Sequence, residues 1–207
     1  MQLFEIVLND IKDGVDFIAL VDEPAIDKKF MAFRDAARQD IEEKEKKKAS
    51  KLKMSFKVQD EDKRIVLGAA MIPDLPIYRW DKDRGEYYVY FSSNTIQQIQ
   101  EKFHKSGFNN NLNEMHSEEL ALSNSTVIYS FITSERLGIS DPKGFDNPEG
   151  TWYVAAKIND DDVWQKVKSG EYRGFSVEGL FSENNPTEQK EDTLINEINS
   201  ILSGGEF

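Results

Sequence analysis

The amino-acid sequence predicts an α+β chain that is mostly β, built as a closed or nearly closed antiparallel β-barrel with flanking helices. Three observations carry this expectation. Short apolar runs of roughly four to eight residues, rich in Val, Ile, Tyr and Phe, recur along the chain. Tight-turn chemistry separates them, as in Lys12-Asp13-Gly14, Pro73-Asp74-Leu75-Pro76 and the stretch DKDRG at 81–85. Only two or three stretches carry a helical period, so helices flank the strands rather than alternate with them. With 207 residues, one substantial core is within reach. We assign residues 1–182 to one barrel domain carrying a charged insert at 34–53, and 183–207 to a polar C-terminal tail or helix.

From the N-terminus, LFEIVLN, VDFIALV and FMAF read as strands, with Pro24 breaking the chain because it supplies no ladder donor. Residues 34–53, RDAARQDIEEKEKKKASKLK, have almost no apolar side chains and read as a solvated charged excursion. MSFKV, IVLGAAMI, IYRW and EYYVYF follow as strands. SSNTIQQIQEKFHKSG then reads as a helix, with Ser93 or Asn94 as cap, Gly107 as stop, and Ile96, Ile99 and Phe103 forming one buried stripe. FNNNLNEMHSEELALSNS reads as a polar loop before the strand TVIYSFIT. After the loop SERLGISDPKGFDNPEG comes GTWYVAAKINDDDVWQKVKSGEYRGFSVEG, a strand, an acid-capped short helix, a glycine turn and a second strand. Trp152 and Trp164 read as core anchors. The tail holds one amphipathic piece, Leu194, Ile195, Ile198 and Ile201.

Composition narrows the function classes. The net charge is −12, so Lys and Arg are too few to displace the counterions of nucleic acid or to favour an anionic membrane. The chain has no cysteine, which removes thiol nucleophiles, disulfides and zinc–thiolate sites. No apolar run approaches the length of a membrane span, and the start has no secretory pattern. No cofactor-binding motif is present.

The chemistry-bearing residues are few. A serine becomes a nucleophile near neutral pH when a base takes its proton, and histidine is the usual base. Ser176 stands in GFSVEG, close to the G-x-S-x-G nucleophile elbow. In that elbow a strand turns into a helix at the serine and the histidine follows in the chain. Here the helix precedes Ser176 and no histidine follows it, so the elbow is excluded. The remaining arrangement is a strand-borne serine with His116 upstream; a purely structural serine and an exposed histidine fit the same residues. His104 lies off the buried stripe of its helix and reads as a surface residue. His116 with Glu114, Glu118 and Glu119 makes a poor transition-metal set, and no metal is expected.

In combination, these segments resemble the prohead maturation proteases of tailed bacteriophages, of the type found in prophage elements, whose fold is similar to that of the herpesvirus assembly protease. KRIVLGAAMIPDLPIYR, YYVYFSSNTIQQIQEKF, NEMHSEE before STVIYSFIT, and above all GTWYVAAKINDDDVWQKVKSGEYRGFSVEGLF carry the resemblance, over roughly residues 1–182 without the insert. The resemblance implies a serine endopeptidase with His116 as general base and Ser176 as nucleophile. It further implies cleavage of scaffold and major capsid protein peptides, with self-cleavage, inside the immature capsid in the host cytoplasm. A homo-oligomer is compatible with it.

Two positions depart from the family pattern. The third catalytic member usually lies on a strand some two dozen residues after the serine, where this chain has its tail, with Glu191, Asp192 and Glu197. Glu178, on the Ser176 face by the two-residue strand period, and Glu118, near His116, are the alternatives, and Glu178 is taken as the third member. An arginine that follows the serine in several relatives is replaced by Val177-Glu178, with Arg173 the nearest guanidinium. These departures favour the rival reading, a non-catalytic capsid-assembly or scaffold-like protein on the same fold.

Overall fold

The computed structural model describes residues 2–22 and 55–183. The FMAF strand, the charged insert and the tail from residue 184 lie outside them. The described chain runs β1 (Gln2–Val7), β2 (Gly14–Val21), β3 (Lys57–Asp60), β4 (Ile65–Met71), β5 (Ile77–Asp81), β6 (Gly85–Phe91), α1 (Ser93–Lys105), β7 (Leu112–Glu114), β8 (Ser117–Ala121), β9 (Ser125–Ile132), β10 (Trp152–Ile158), α2 (Asp161–Ser169), β11 (Gly174–Leu180) and β12 (Ser182–Glu183).

The chain is mostly β, but the barrel is wrong. The strands form three separate four-stranded sheets, ordered β12-β1-β6-β5, β3-β4-β10-β9 and β11-β2-β7-β8. Closure would require the outer strands of a sheet to hydrogen-bond to each other, and none of these three does so. The herpesvirus-like architecture expected with the barrel therefore gains no support. The purely antiparallel pairing is also corrected: β1 pairs β6 in parallel, and β2 pairs β7 in parallel. Parallel neighbours need long crossovers, and local turn chemistry carries no trace of them.

The three sheets share one main core. Ile6, Val89 and Phe91 enter it from the first sheet, Val66 and Val154 from the second, Ile18, Leu20 and Phe175 from the third. The α1 stripe, Ile96, Ile99 and Phe103, is fully buried there, each side chain contributing about 1.5–3 kcal/mol. Helix α1 starts one residue earlier than expected, because Ser92 rather than Ser93 accepts the Thr95 N–H, and Gly107 ends it in the left-handed region. Helix α2 is capped by Asp160, which accepts the Val163 N–H at 3.0 Å, and Gly170 closes it at φ 75°. Trp152 and Trp164 are both buried.

Candidate functional site

Strand β11 sorts its side chains by alternation. Phe175 and Val177 turn to the core, so Ser176 and Glu178 share the opposite face. The register sets Ser176 opposite Ala19 on β2, and Ala19 opposite Asn113 on β7. The row is buried throughout, with the small Ala19 side chain at its middle.

His116 enters over the same face from a turn. The expected loop is instead a β-hairpin, β7–β8, with Glu114 paired to Ser117 and only Met115 and His116 between them. Both have positive φ, 52° and 60°, the signature of a type I′ turn. Neither is glycine, so each position costs roughly 1–2 kcal/mol, and surrounding contacts must enforce it. Those contacts are present. The Met115 N–H donates to the Leu20 carbonyl at 3.0 Å. The buried Glu114 carboxylate accepts from Lys166 Nζ on α2 and from the Tyr172 hydroxyl, both at 2.6 Å. The Glu114 bond, followed by the Tyr172 hydroxyl, holds the Lys166 ammonium well above the ordinary lysine range. Burial and then the Glu114 bond push the Tyr172 phenol up.

So anchored, the hairpin brings His116 Nδ1 to 3.3 Å from Glu178 Oε2. The same oxygen accepts from Asn113 Nδ2 at 3.2 Å. Asn113 is fully buried, and its Oδ1 has no hydrogen-bond partner among the described residues. Sequence reasoning passed over Asn113 because nothing in FNNNLNE distinguishes it from its neighbours. Strand alternation turns Glu114 away from Asn113 and toward Lys166 on α2 and Tyr172. Among the described residues no group of three or more His, Asp or Glu side chains is placed to hold a metal.

Ser176 is 7% exposed, and no hydrogen bond joins its hydroxyl to His116 or to any other described side chain. The serine lines a cavity of about 70 Å³ walled by Met71, Ile72, Leu75, Ile77, Phe91 and Phe181, with Arg79 the cation of its lining. Ser176 thus lines an apolar cavity and shares its strand face with the carboxylate that meets His116. Arg173 is exposed, just before β11.

A second serine–histidine contact occurs elsewhere. Ser130 Oγ lies 2.7 Å from His104 Nε2, and it also receives the Trp152 indole N–H at 2.8 Å and the Gln100 amide at 3.3 Å. Those two groups can only donate through these nitrogens, so the Ser130 proton goes to His104. The hydroxyl is saturated by these three contacts, and His104 has no carboxylate partner among the described residues. This cluster ties α1 to β9 and β10. His104, read as a surface residue, is exposed but bonded.

A family model described as "Putative phage serine protease XkdF" matches residues 51–184. The chain belongs to that family. The match contains Asn113, His116, Ser176 and Glu178, and it spans β3 through β12 while leaving β1 and β2 outside. No curated protein and no solved structure matches the chain. Among the described residues no helix is long and apolar enough to cross a membrane.

Proposed function

We propose that this phage protease is a serine endopeptidase of head maturation, with Ser176 as nucleophile, His116 as general base and Glu178 as the carboxylate that orients it. The observation that carries the reading is the His116 Nδ1–Glu178 Oε2 contact on the face that also bears Ser176. With Nδ1 turned to the carboxylate, Nε2 is the ring nitrogen left to take a proton. Asn113 donates to the same Glu178 oxygen and helps to hold the carboxylate in place. The apparent gap between Ser176 and His116 closes when substrate binds, since catalytic hydrogen bonds commonly tighten only in the substrate complex.

In the reaction, Ser176 Oγ bonds to the scissile carbonyl carbon as His116 Nε2 takes the hydroxyl proton. His116 then returns that proton to the leaving amine, the C–N bond breaks, and water hydrolyses the acyl-enzyme by the reverse proton route. Alternate N–H groups of β11 point away from β2 along its outer edge, so oxyanion donors are at hand. The cavity beside Ser176 accepts an apolar substrate side chain. Scaffold and major capsid protein peptides are the substrates in this reading. Cleavage takes place inside the immature capsid, and the tail, with Ile195-Asn196-Glu197, is the site of self-cleavage.

The test is to mix wild-type and Ser176→Ala protein with the cognate scaffold and capsid proteins and to read fragments by mass. Processing by wild type and none by Ser176→Ala is expected; equal processing by the variant overturns the assignment. The unformed Ser176–His116 bond favours one rival, a non-catalytic assembly protein. That rival predicts co-assembly without any fragments.

A further inference from the structure

Ser176 and Glu178 stand on β11, His116 stands on the turn of the β7–β8 hairpin, and β2 lies between them. Each side is pinned to the same end of β2 by a main-chain bond. The Met115 N–H donates to the Leu20 carbonyl at 3.0 Å, and the Arg173 N–H donates to the Val21 carbonyl at 2.8 Å. Main-chain bonds set the spacing of strands. The aim of a side chain on a turn needs further contacts.

Tyr172 supplies one. It stands just before β11, in the chain segment that leads directly to Ser176 and Glu178. Its side chain is part of the main core, and the residue is 4% exposed. Its hydroxyl crosses to β7, where it donates to Glu114 Oε2 at 2.6 Å, and it accepts from Lys166 Nζ at 3.3 Å. Glu114 ends β7 immediately before the Met115-His116 turn, and the His116 ring meets Glu178 back on β11. These links close a ring. One side-chain contact joins Glu178 to His116, a second joins Glu114 to Tyr172, and a short stretch of chain completes each side.

We infer that Tyr172 is a positioning residue, whose hydroxyl acts through Glu114 to aim the His116 ring at Glu178 and at the β11 face that bears Ser176. The inference rests on the reading of His116 as general base. Met115 and His116 hold φ of 52° and 60°, a shape that two non-glycine residues keep only under constraint. A short bond from a buried hydroxyl to a carboxylate is charge-assisted and directional, so it can supply that constraint. Lys166 binds the same Glu114 oxygen, but from α2, and its side chain is 35% exposed. The lysine ties the hairpin to the helix. The tyrosine ties it to the strand that carries the nucleophile.

Tyr172→Phe removes the hydroxyl and keeps the ring in the core, and Lys166 still holds Glu114, so the variant folds; denaturant titration checks this. Peptide hydrolysis is measured well below the unfolding transition. A misplacement of about 1 Å costs on the order of 10²-fold in rate, so kcat falls roughly 10- to 100-fold while KM stays within about twofold. In a Glu114→Gln background the same change has little further effect, because its route is already cut. Equal kcat in wild type and Tyr172→Phe overturns the inference, and so does additivity with Glu114→Gln.

Ring-nitrogen NMR of the chain's two histidines, assigned with His104→Gln, gives a readout independent of activity. In the wild type, neutral His116 carries its proton on Nδ1, facing Glu178. In Tyr172→Phe that tautomer preference weakens while the His104 signals stay in place. An unchanged His116 spectrum overturns the inference as well. If the wild type cleaves nothing and the His116 spectrum still responds to Tyr172→Phe, the positioning role stands and the protease reading falls.

Discussion

Removing the ammonium that holds Glu114 loosens the hairpin that carries His116, and Lys166→Met makes that removal at nearly constant side-chain length. Glu114 is 7% exposed and accepts two hydrogen bonds, so its carboxylate stays ionised and buried when Lys166 goes. Breaking a fully buried pair costs about 3–5 kcal/mol, and a hydrogen bond to a charged group is worth about 1.5–3 kcal/mol. The Lys166 side chain is 35% exposed, so water takes over part of its role, and the cost falls to about 1.5–2.5 kcal/mol. For a chain of this length that lowers Tm by roughly 3–10 °C. The pH dependence has a definite sign. Lys166 and Tyr172 are both raised in the fold. Their stabilisation is therefore complete below their ordinary values, near 10, and is lost as pH rises through the folded ones. Calorimetry or denaturant titration should find Lys166→Met destabilised at neutral pH, with the gap to wild type narrowing above about pH 10. Lys166→Arg should retain most of the stability. Wild-type stability in Lys166→Met, or simple additivity with Glu114→Gln, would refute the anchor.

Other outcomes are equally definite. Glu178→Gln leaves the fold intact and lowers kcat/KM by roughly 10²- to 10⁴-fold in peptide hydrolysis, because the His116 ring loses its anionic partner; a change of less than a few-fold excludes Glu178 from the site. In Gly179→Ala the new Cβ would sit 1.8 Å from the Gly14 carbonyl oxygen, so β11 must separate from β2. The expected loss is about 3 kcal/mol or more, and native stability in denaturant would contradict the packing. Burial pushes the Asp13 carboxyl up, but hydrogen bonds from Ser182 and from the Asp10 and Asn9 N–H groups outweigh it and lower the pKa. Asp13→Asn therefore costs about 1–2 kcal/mol at neutral pH, and the difference disappears as the solution is acidified below about pH 4. A pH-independent difference would show that the carboxylate charge plays no part.

What could be read from residues alone follows the range of the forces involved. Strand β11 was legible because Phe175 and Val177 alternate with Ser176 and Glu178, a pattern fixed within five residues. Helices α1 and α2 were legible from their stripes and caps, and the one-residue error at Ser92 reflects three successive residues that can each cap. The β7–β8 hairpin was not legible. A type I′ turn is normally signalled by Asn-Gly or Asp-Gly, and Met115-His116 carries no such signal, since Glu114, Lys166 and Leu20 enforce its shape from outside. The split into three sheets was hidden for a related reason. Whether β1 lies beside β6 or closes a ring depends on contacts between distant segments, and the apolar patterning of LFEIVLN is the same in either case. Asn113 and the cavity beside Ser176 also emerge only once the sheets are in place.

The pairing of β2 with β11 joins the two ends of the described chain. Contacts so remote in sequence are costly to close and form late in folding. Ser176 cannot meet the His116 hairpin until β2 lies between them, and the cavity walls come from β4, β5 and β6 in the other two sheets. A growing or half-folded chain therefore holds the residues of the site without holding the site. On the proposed reading, proteolytic competence is therefore a property of the finished fold, reached only when its last strand has docked.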